Sequence, residues 1–429
     1  MAGCHLWNLT VPATEFESSG LERPAVSITR PMNRGGALTG MKTTIGIIGG
    51  GPTGLLLSYL LDSYGIENQV LEHRSPDHIK ARVRAGQLDH ASVEYLRRVG
   101  ISAGLDCNGL PQKGMNLRFR NLTRRLDLEA LTDGAFCTVY GQSELTKELM
   151  AALSLAAHEP IYGVSDVRID AHDEGPATIH FTRMGEAQRL DCDYIIGCDG
   201  AHGVTRSYLN KESAAFSRRL PFSWVGFLSE TPPASRELTY VYHPDGFALW
   251  SMRSPEVSRT YLQCGRDDKI EDWSDDRFWT EFNRRLGPDI DIVPGKTTER
   301  VMVRMQGYVA GRMHKGRVVL AGDAAHIVPL SAAKGLNMAI ADVAHLVEAL
   351  RMLVHDRNSD ALPRYAHAAM QRAWAGQALS WRMTDLLHAP TDGDPFENEV
   401  KLTQLDELVA NQIRLRDFCA SYVGKELLA

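Results

Sequence analysis

The stretch Ile45-Gly-Ile-Ile-Gly-Gly-Gly-Pro-Thr-Gly54 decides the fold of this chain. Four apolar or small residues run into a glycine turn, and the leucine-rich segment Leu55 to Leu61 follows as a helix. In that order, Gly49 permits the tight turn, Gly51 lets backbone N–H groups approach a phosphate, and Gly54 lets helix and strand pack closely. A pyrophosphate would then lie at the positive end of the helix. A second apolar run, Gln69-Val70-Leu71, ends in Glu72, about 20 residues beyond the turn, where a carboxylate accepts from ribose hydroxyls. Strand, glycines, helix, strand and acid together describe a dinucleotide crevice in an α/β fold with a mostly parallel sheet.

Working outward, two more turns have the same form. Asp193-Tyr-Ile-Ile-Gly-Cys-Asp199-Gly200 and Val318-Val-Leu-Ala-Gly-Asp323-Ala-Ala-His326 each place an acid after an apolar strand, and the second leads into the helix opening Lys334-Gly-Leu-Asn337. An acid at a strand's carboxyl end accepts from a ribitol hydroxyl, and a helix amino terminus favours anionic flavin atoms. The three turns together read as a site for FAD. Between Phe222 and Gln263 the pattern changes to short alternating strands such as Leu238-Thr-Tyr-Val-Tyr242, an antiparallel sheet. Beyond Ala321 the chain is helical almost throughout.

These changes of pattern divide the chain into an arm over residues 1–40, a first FAD-binding part over 41–215, a substrate-binding sheet over 216–307, a second FAD-binding part over 308–350, and helices over 351–429. With 44% hydrophobic and 23% charged residues the chain has the composition of a soluble globular protein. A net charge of −6 gives no general attraction to nucleic acid or an anionic membrane, so an anionic ligand must be held by local arginines. The seven cysteines are scattered without metal-ligand spacing, which fits reduced thiols in the cytoplasm and no metal site. No apolar run reaches the roughly 18 residues of a membrane helix.

The segments Arg82-Val-Arg84-Ala-Gly86, Val139-Tyr-Gly-Gln142, Cys198-Asp-Gly-Ala-His202, His243-Pro-Asp-Gly-Phe-Ala-Leu249 and Ala321-Gly-Asp-Ala-Ala-His-Ile-Val-Pro329 make the chain resemble the group A FAD-dependent aromatic hydroxylases from about Met41 to Gly424. The resemblance implies FAD held by Gly49, Gly51, Gly54, Glu72, Arg82, Arg84, Gln142, Asp323, Leu336 and Asn337, with Gln87 beside the isoalloxazine. It implies hydroxylation of a 4-hydroxybenzoate-type acid ortho to its hydroxyl by a flavin C4a-hydroperoxide formed from O2, with reduction by NADPH or NADH. Ser251, Arg253 and Tyr261 then hold the substrate carboxylate, Pro329 and Leu330 flank the ring, and Tyr240 and Tyr422 bond in series to the phenolic oxygen. His202 and Arg206 match nicotinamide-cofactor contacts, His73, Arg74 and Lys80 suit the extra phosphate of NADPH, and the family pattern implies a homodimer.

Four positions depart from that pattern. Gln112 replaces a histidine that passes the phenol's proton outward, so a relay Tyr240–Tyr422–Gln112 has no titrating outlet. Leu330 replaces a proline, Ala332 a glycine, and Gln87 an apolar residue. These changes raise an alternative substrate, an amino-hydroxybenzoate such as 3-amino-4-hydroxybenzoate, whose amine activates the ring. A reading of another class, a non-catalytic escort protein of the same general fold, is opposed by Glu72, Asp323 and Asn337, which suit contacts that only FAD needs.

Overall fold

The computed structural model describes residues 40–81, 86–155, 159–172, 175–211 and 214–424. The arm expected over residues 1–40 therefore lies outside the described residues, apart from Gly40. Arg82 and Arg84 lie outside them as well.

Among the described residues the first eight-stranded sheet is built around Met41–Ile48, with Asn68–Glu72 on one side and Glu186–Gly197 on the other. Both pairings are parallel, and Val318–Leu320 adds in parallel beyond Glu186–Gly197. The register sets Ile48 beside Leu71 and Gly197, and Gly197 beside Leu320. Four strands thus end at one level, so the Gly49, Glu72, Asp199 and Asp323 turns share the sheet's carboxyl edge, where α/β folds take their ligands. These strands are buried on both faces, which is why they read as apolar runs instead of alternating ones. Helix Pro52–Ser63 packs its leucines, Leu55, Leu56, Leu57, Leu60 and Leu61, into this core.

The second eight-stranded sheet is antiparallel except where Thr239–Val241 pairs in parallel with Gly114–Phe119. Its strands also include Phe216–Ser229, Ala248–Met252, Ser258–Gly265 and Thr297–Val309. It draws Gly114–Phe119 and Leu122–Asp127 from the stretch expected to serve the first FAD-binding part. Side chains alternate between its faces. Val225, Phe227, Val241, Ala248, Trp250 and Leu262 turn to one side, where helix Asp275–Leu286 covers them with Phe278, Trp279 and Phe282. Trp224, Tyr240, Leu249 and Tyr261 turn to the other, against Met383, Leu387, Phe418 and Tyr422 of the carboxyl-terminal helices Ala361–Leu387 and Gln412–Val423.

A small third sheet sets Cys137–Val139 between Gln87–Leu88 and Leu110–Gln112. Its register sets Gln87 opposite Val139 and Gln112 opposite Cys137.

Candidate active site

At the carboxyl edge of the first sheet the backbone is shaped for a phosphate. Gly49 has φ +111°, and a Cβ there would stand 2.3 Å from the Cys198 carbonyl oxygen. A Cβ on Gly54 would meet the Gly49 carbonyl at 2.0 Å, whereas one on Gly51 would meet nothing within 4 Å. The two tight glycines hold the turn against its neighbours, and Gly51 leaves open space at the helix entrance. Helix Pro52–Ser63 has no side-chain cap and begins with proline, so its first-turn N–H groups are left for a ligand. Glu72 leans into the turn, accepting from the Gly50 N–H at 2.5 Å and the Arg74 N–H at 2.7 Å. Each carboxylate oxygen keeps a lone pair for a ribose hydroxyl.

The other turns close on the same place. Gly322 has φ +61° and approaches the first turn of that helix, a Cβ there lying 2.7 Å from Thr53 Oγ1. Arg206 binds the backbone here, donating to the Ala201 carbonyl at 2.8 Å, the Ala324 carbonyl at 3.0 Å and the Asp323 carbonyl, with its guanidinium 3.6 Å from the centre of the Tyr308 ring. Arg206, expected as a nicotinamide contact, ties the Asp199 and Asp323 turns together; His202, expected with it, is exposed. Behind the Asp323 turn, buried Asp342 accepts from His326 at 2.7 Å and the Gly322 N–H at 3.0 Å. Burial pushes the Asp342 carboxyl up, but His326 and Arg372 outweigh it and hold the group below the usual carboxylate range.

Two further helices begin toward this region without side-chain caps, Gln142–Leu153 and Gly335–His355. Leu336, partly buried, lies in the first turn of the second. Asn337 of that turn accepts from the Asp89 N–H at 3.0 Å and donates to the carbonyls of Gln87 at 3.0 Å and Ala333 at 2.9 Å. Its side chain fastens the Gln87 strand to the helix. Open glycine space, uncapped helix termini and the carboxylate of Glu72 fit the pyrophosphate, ribose and ring of FAD.

On the second sheet the register collects the substrate residues. Ser251 pairs with Arg259, and Leu249 pairs with both Tyr261 and Tyr240, so Tyr240, Ser251, Arg259 and Tyr261 share one face. Arg253 follows Ser251 by two residues, where its backbone N–H bonds the Val257 carbonyl at 2.8 Å. Among the described residues no carboxylate pairs with its guanidinium. Burial lowers the Arg253 pKa to about 10; Tyr261 opposes that shift and the Arg259 cation adds to it. A cation so placed gains most from an anionic ligand. Tyr261 has room because Gly226 lies across from it; a Cβ there would stand 2.3 Å from the ring.

Between this face and the helices, the Tyr240 hydroxyl lies 3.1 Å from that of Tyr422 and donates to the Ser331 carbonyl at 2.8 Å. Burial raises both phenols well above their ordinary range. The partner of Tyr422 is Gln87, whose Nε2 donates at 2.8 Å. Gln112 is elsewhere: its side chain donates to the Arg236 carbonyl at 2.8 Å and accepts from the Leu238 N–H at 2.9 Å. The expected third member of the relay is therefore a strand tie, and Gln87, expected beside the flavin, takes its position.

The comparisons with known proteins agree with this geometry. Residues 42–380 match the family model described as an FAD binding domain. The p-hydroxybenzoate hydroxylase of Acinetobacter baylyi is 39% identical over 387 residues, covering 90% of this chain and 96% of that protein. The chain is an FAD-dependent aromatic monooxygenase. A more distant relative of the monooxygenase, the 6-hydroxy-3-succinoylpyridine 3-monooxygenase HspB of Pseudomonas putida, is 25% identical over 88% of the chain and 96% of its own. In fold, the p-nitrophenol 4-monooxygenase PnpA of Pseudomonas putida DLL-E4 superposes with TM-score 0.78 at 19% identity, covering 90% of this chain and all of that one.

The monooxygenase site holds residues that sequence reasoning passed over. Arg259, buried, pairs with Glu299 at 2.5 Å; it stands two residues from Tyr261, and strand alternation was the available signal. Lys334, buried, donates to Asp89 at 2.8 Å and to the Tyr422 carbonyl at 2.9 Å, which fixes the last helix against the flavin-side loop. Pro329 is buried and leads into the short turn Leu330–Ala332, where Leu330 is 40% exposed. The left-handed residue of that loop is Ala333, φ +51°, so the exchange of glycine for alanine at 332 carries no backbone strain.

Proposed function

We propose that this monooxygenase hydroxylates a 4-hydroxybenzoate-type acid ortho to its hydroxyl, using NADPH in preference to NADH, and O2. The observation that carries this reading is Arg253, a cation without a carboxylate partner among the described residues, on the sheet face that also presents Tyr240. Arg253, with Ser251 and Tyr261, binds the ring's carboxylate, and Tyr240 meets the oxygen at the other end. The bound flavin supplies electrons and activated oxygen. The chain's own residues orient the ring, exclude water from it and set the protonation of its hydroxyl. Family membership displaces the escort-protein reading and supports a cytoplasmic homodimer as the working form.

The side chains at Gln87, Gln112, Leu330 and Ala332 favour a second reading, in which an amino-hydroxybenzoate is the natural substrate. The FAD-loaded enzyme is given NADPH and 4-hydroxybenzoate, and products are identified by mass spectrometry. One 3,4-dihydroxybenzoate per NADPH is the expected result. NADPH oxidation that yields hydrogen peroxide and no hydroxylated ring overturns the first reading, and product from 3-amino-4-hydroxybenzoate then establishes the second. A higher kcat/KM with NADH reverses the choice of reductant.

A further inference from the structure

The hydrogen bonds around Tyr240 have only one consistent direction. The Ser331 carbonyl, 2.8 Å from the Tyr240 hydroxyl, can only accept, so the Tyr240 proton lies on that side. The remaining contact of Tyr240, at 3.1 Å, must then be a proton given by Tyr422. With its own proton spent, Tyr422 can only accept from its other neighbour. Gln87 Nε2 meets that need at 2.8 Å, and the carbonyl end of the chain is what assigns the amide's orientation. Protons therefore point from Gln87 through Tyr422 and Tyr240 toward the loop.

We propose that Gln87 is a positioning residue that holds Tyr422 and Tyr240 as donors, so that Tyr240 swings its O–H from the Ser331 carbonyl to the ring oxygen of a bound substrate and the pocket takes that oxygen ionised. The proposal rests on the reading that a hydroxybenzoate ring binds with its oxygen at Tyr240. For a phenol to pass its proton outward along the tyrosines, both hydroxyls and the amide would have to turn round, and an uncharged amide has no site for the proton at the end. The phenol's proton is instead released to bulk water as the phenolate binds. The same direction disfavours a ring amine at that position, since an amine chiefly donates.

The test reads the bound ring directly. FAD-loaded full-length enzyme is titrated with 4-hydroxybenzoate across pH, and the phenolate band in the ultraviolet difference spectrum gives the ionisation midpoint of the bound ligand, with Kd measured alongside. Gln87→Glu replaces the donor by a carboxylate of nearly the same shape that accepts from Tyr422 and reverses the chain. The expected result is a midpoint at least about one unit above that of the unsubstituted enzyme, a tenfold change in the ionisation constant. Gln87→Met, which neither donates nor accepts strongly, gives a smaller rise and carries the test if the glutamate variant does not fold. An unchanged midpoint in a variant that still binds the ligand overturns the proposal alone. An unsubstituted enzyme that gives no difference spectrum with 4-hydroxybenzoate overturns the substrate reading, and the proposal with it.

Discussion

His388, at the carboxyl end of helix Ala361–Leu387, is expected to make stability depend on pH. Its Nε2 accepts from the Trp224 indole at 2.7 Å, its Nδ1 faces the Thr384 carbonyl at 2.7 Å, and its ring is stacked between Phe222 at 4.4 Å and Phe247 at 4.5 Å. An indole only donates and a carbonyl only accepts, so the ring is neutral with its proton on Nδ1. A second proton would have to sit on Nε2, against the indole N–H. Burial accordingly lowers the His388 pKa to about 3, with the Lys401 charge adding to the effect and the Thr384 bond opposing it. Unfolded, the group titrates near ~6.5. The unfolded chain therefore binds more protons as pH falls, and stability that is complete above ~6.5 drains away toward about 3. At about pH 5 the loss from this one group is about 2 kcal/mol. The assay is urea unfolding of the unsubstituted protein and His388→Gln at about pH 7.5 and about pH 5, at equal flavin saturation. The glutamine variant is less stable at the higher pH, and the gap closes by about 2 kcal/mol at the lower. A gap that does not change with pH refutes the neutral, buried histidine.

Arg253→Ala is expected to raise the Kd for a benzoate at least about tenfold, measured by perturbation of the flavin spectrum, and unchanged binding would remove Arg253 from the site. Gly54→Ala, whose Cβ would stand 2.0 Å from the Gly49 carbonyl, is expected to give protein that loses its flavin on a desalting column; retention of the full flavin content would mean that the turn can open without cost.

Much of this arrangement was legible before any coordinates. The turns at Gly49, Asp199 and Asp323 were visible because each pairs an apolar strand with a residue that the crevice chemistry requires, and parallel register then brings them together. Ser251 and Arg253 were proposed from the family resemblance, and strand alternation alone sets the two on one face. Contacts set by tertiary pairing were not visible. Gln87 and Gln112 flank the same strand, facing Val139 and Cys137, and nothing local says which of them meets Tyr422. Arg206 matches a nicotinamide contact in the sequence, and nothing local shows that carbonyls of a turn more than a hundred residues away close around it. Strands Gly114–Phe119 and Leu122–Asp127 fall amid βα patterns, and only their partner Thr239–Val241 sends them to the second sheet.

The two halves of the site also differ in when they can exist. The crevice turns and the residues that brace them are complete once helix Gly335–His355 is in place. Tyr422, in contrast, meets Tyr240 across 182 residues of chain and Gln87 across 335. Contacts so distant in sequence form late. A nascent chain that has not yet extended to helix Gln412–Val423 has its flavin crevice but presents the unshielded ends of Tyr240 and Gln87 to water. Translation thereby imposes an order on assembly: nucleotide first, aromatic pocket last. Flavin bound at that early stage would steady the partly made enzyme against aggregation before it can meet its aromatic ligand.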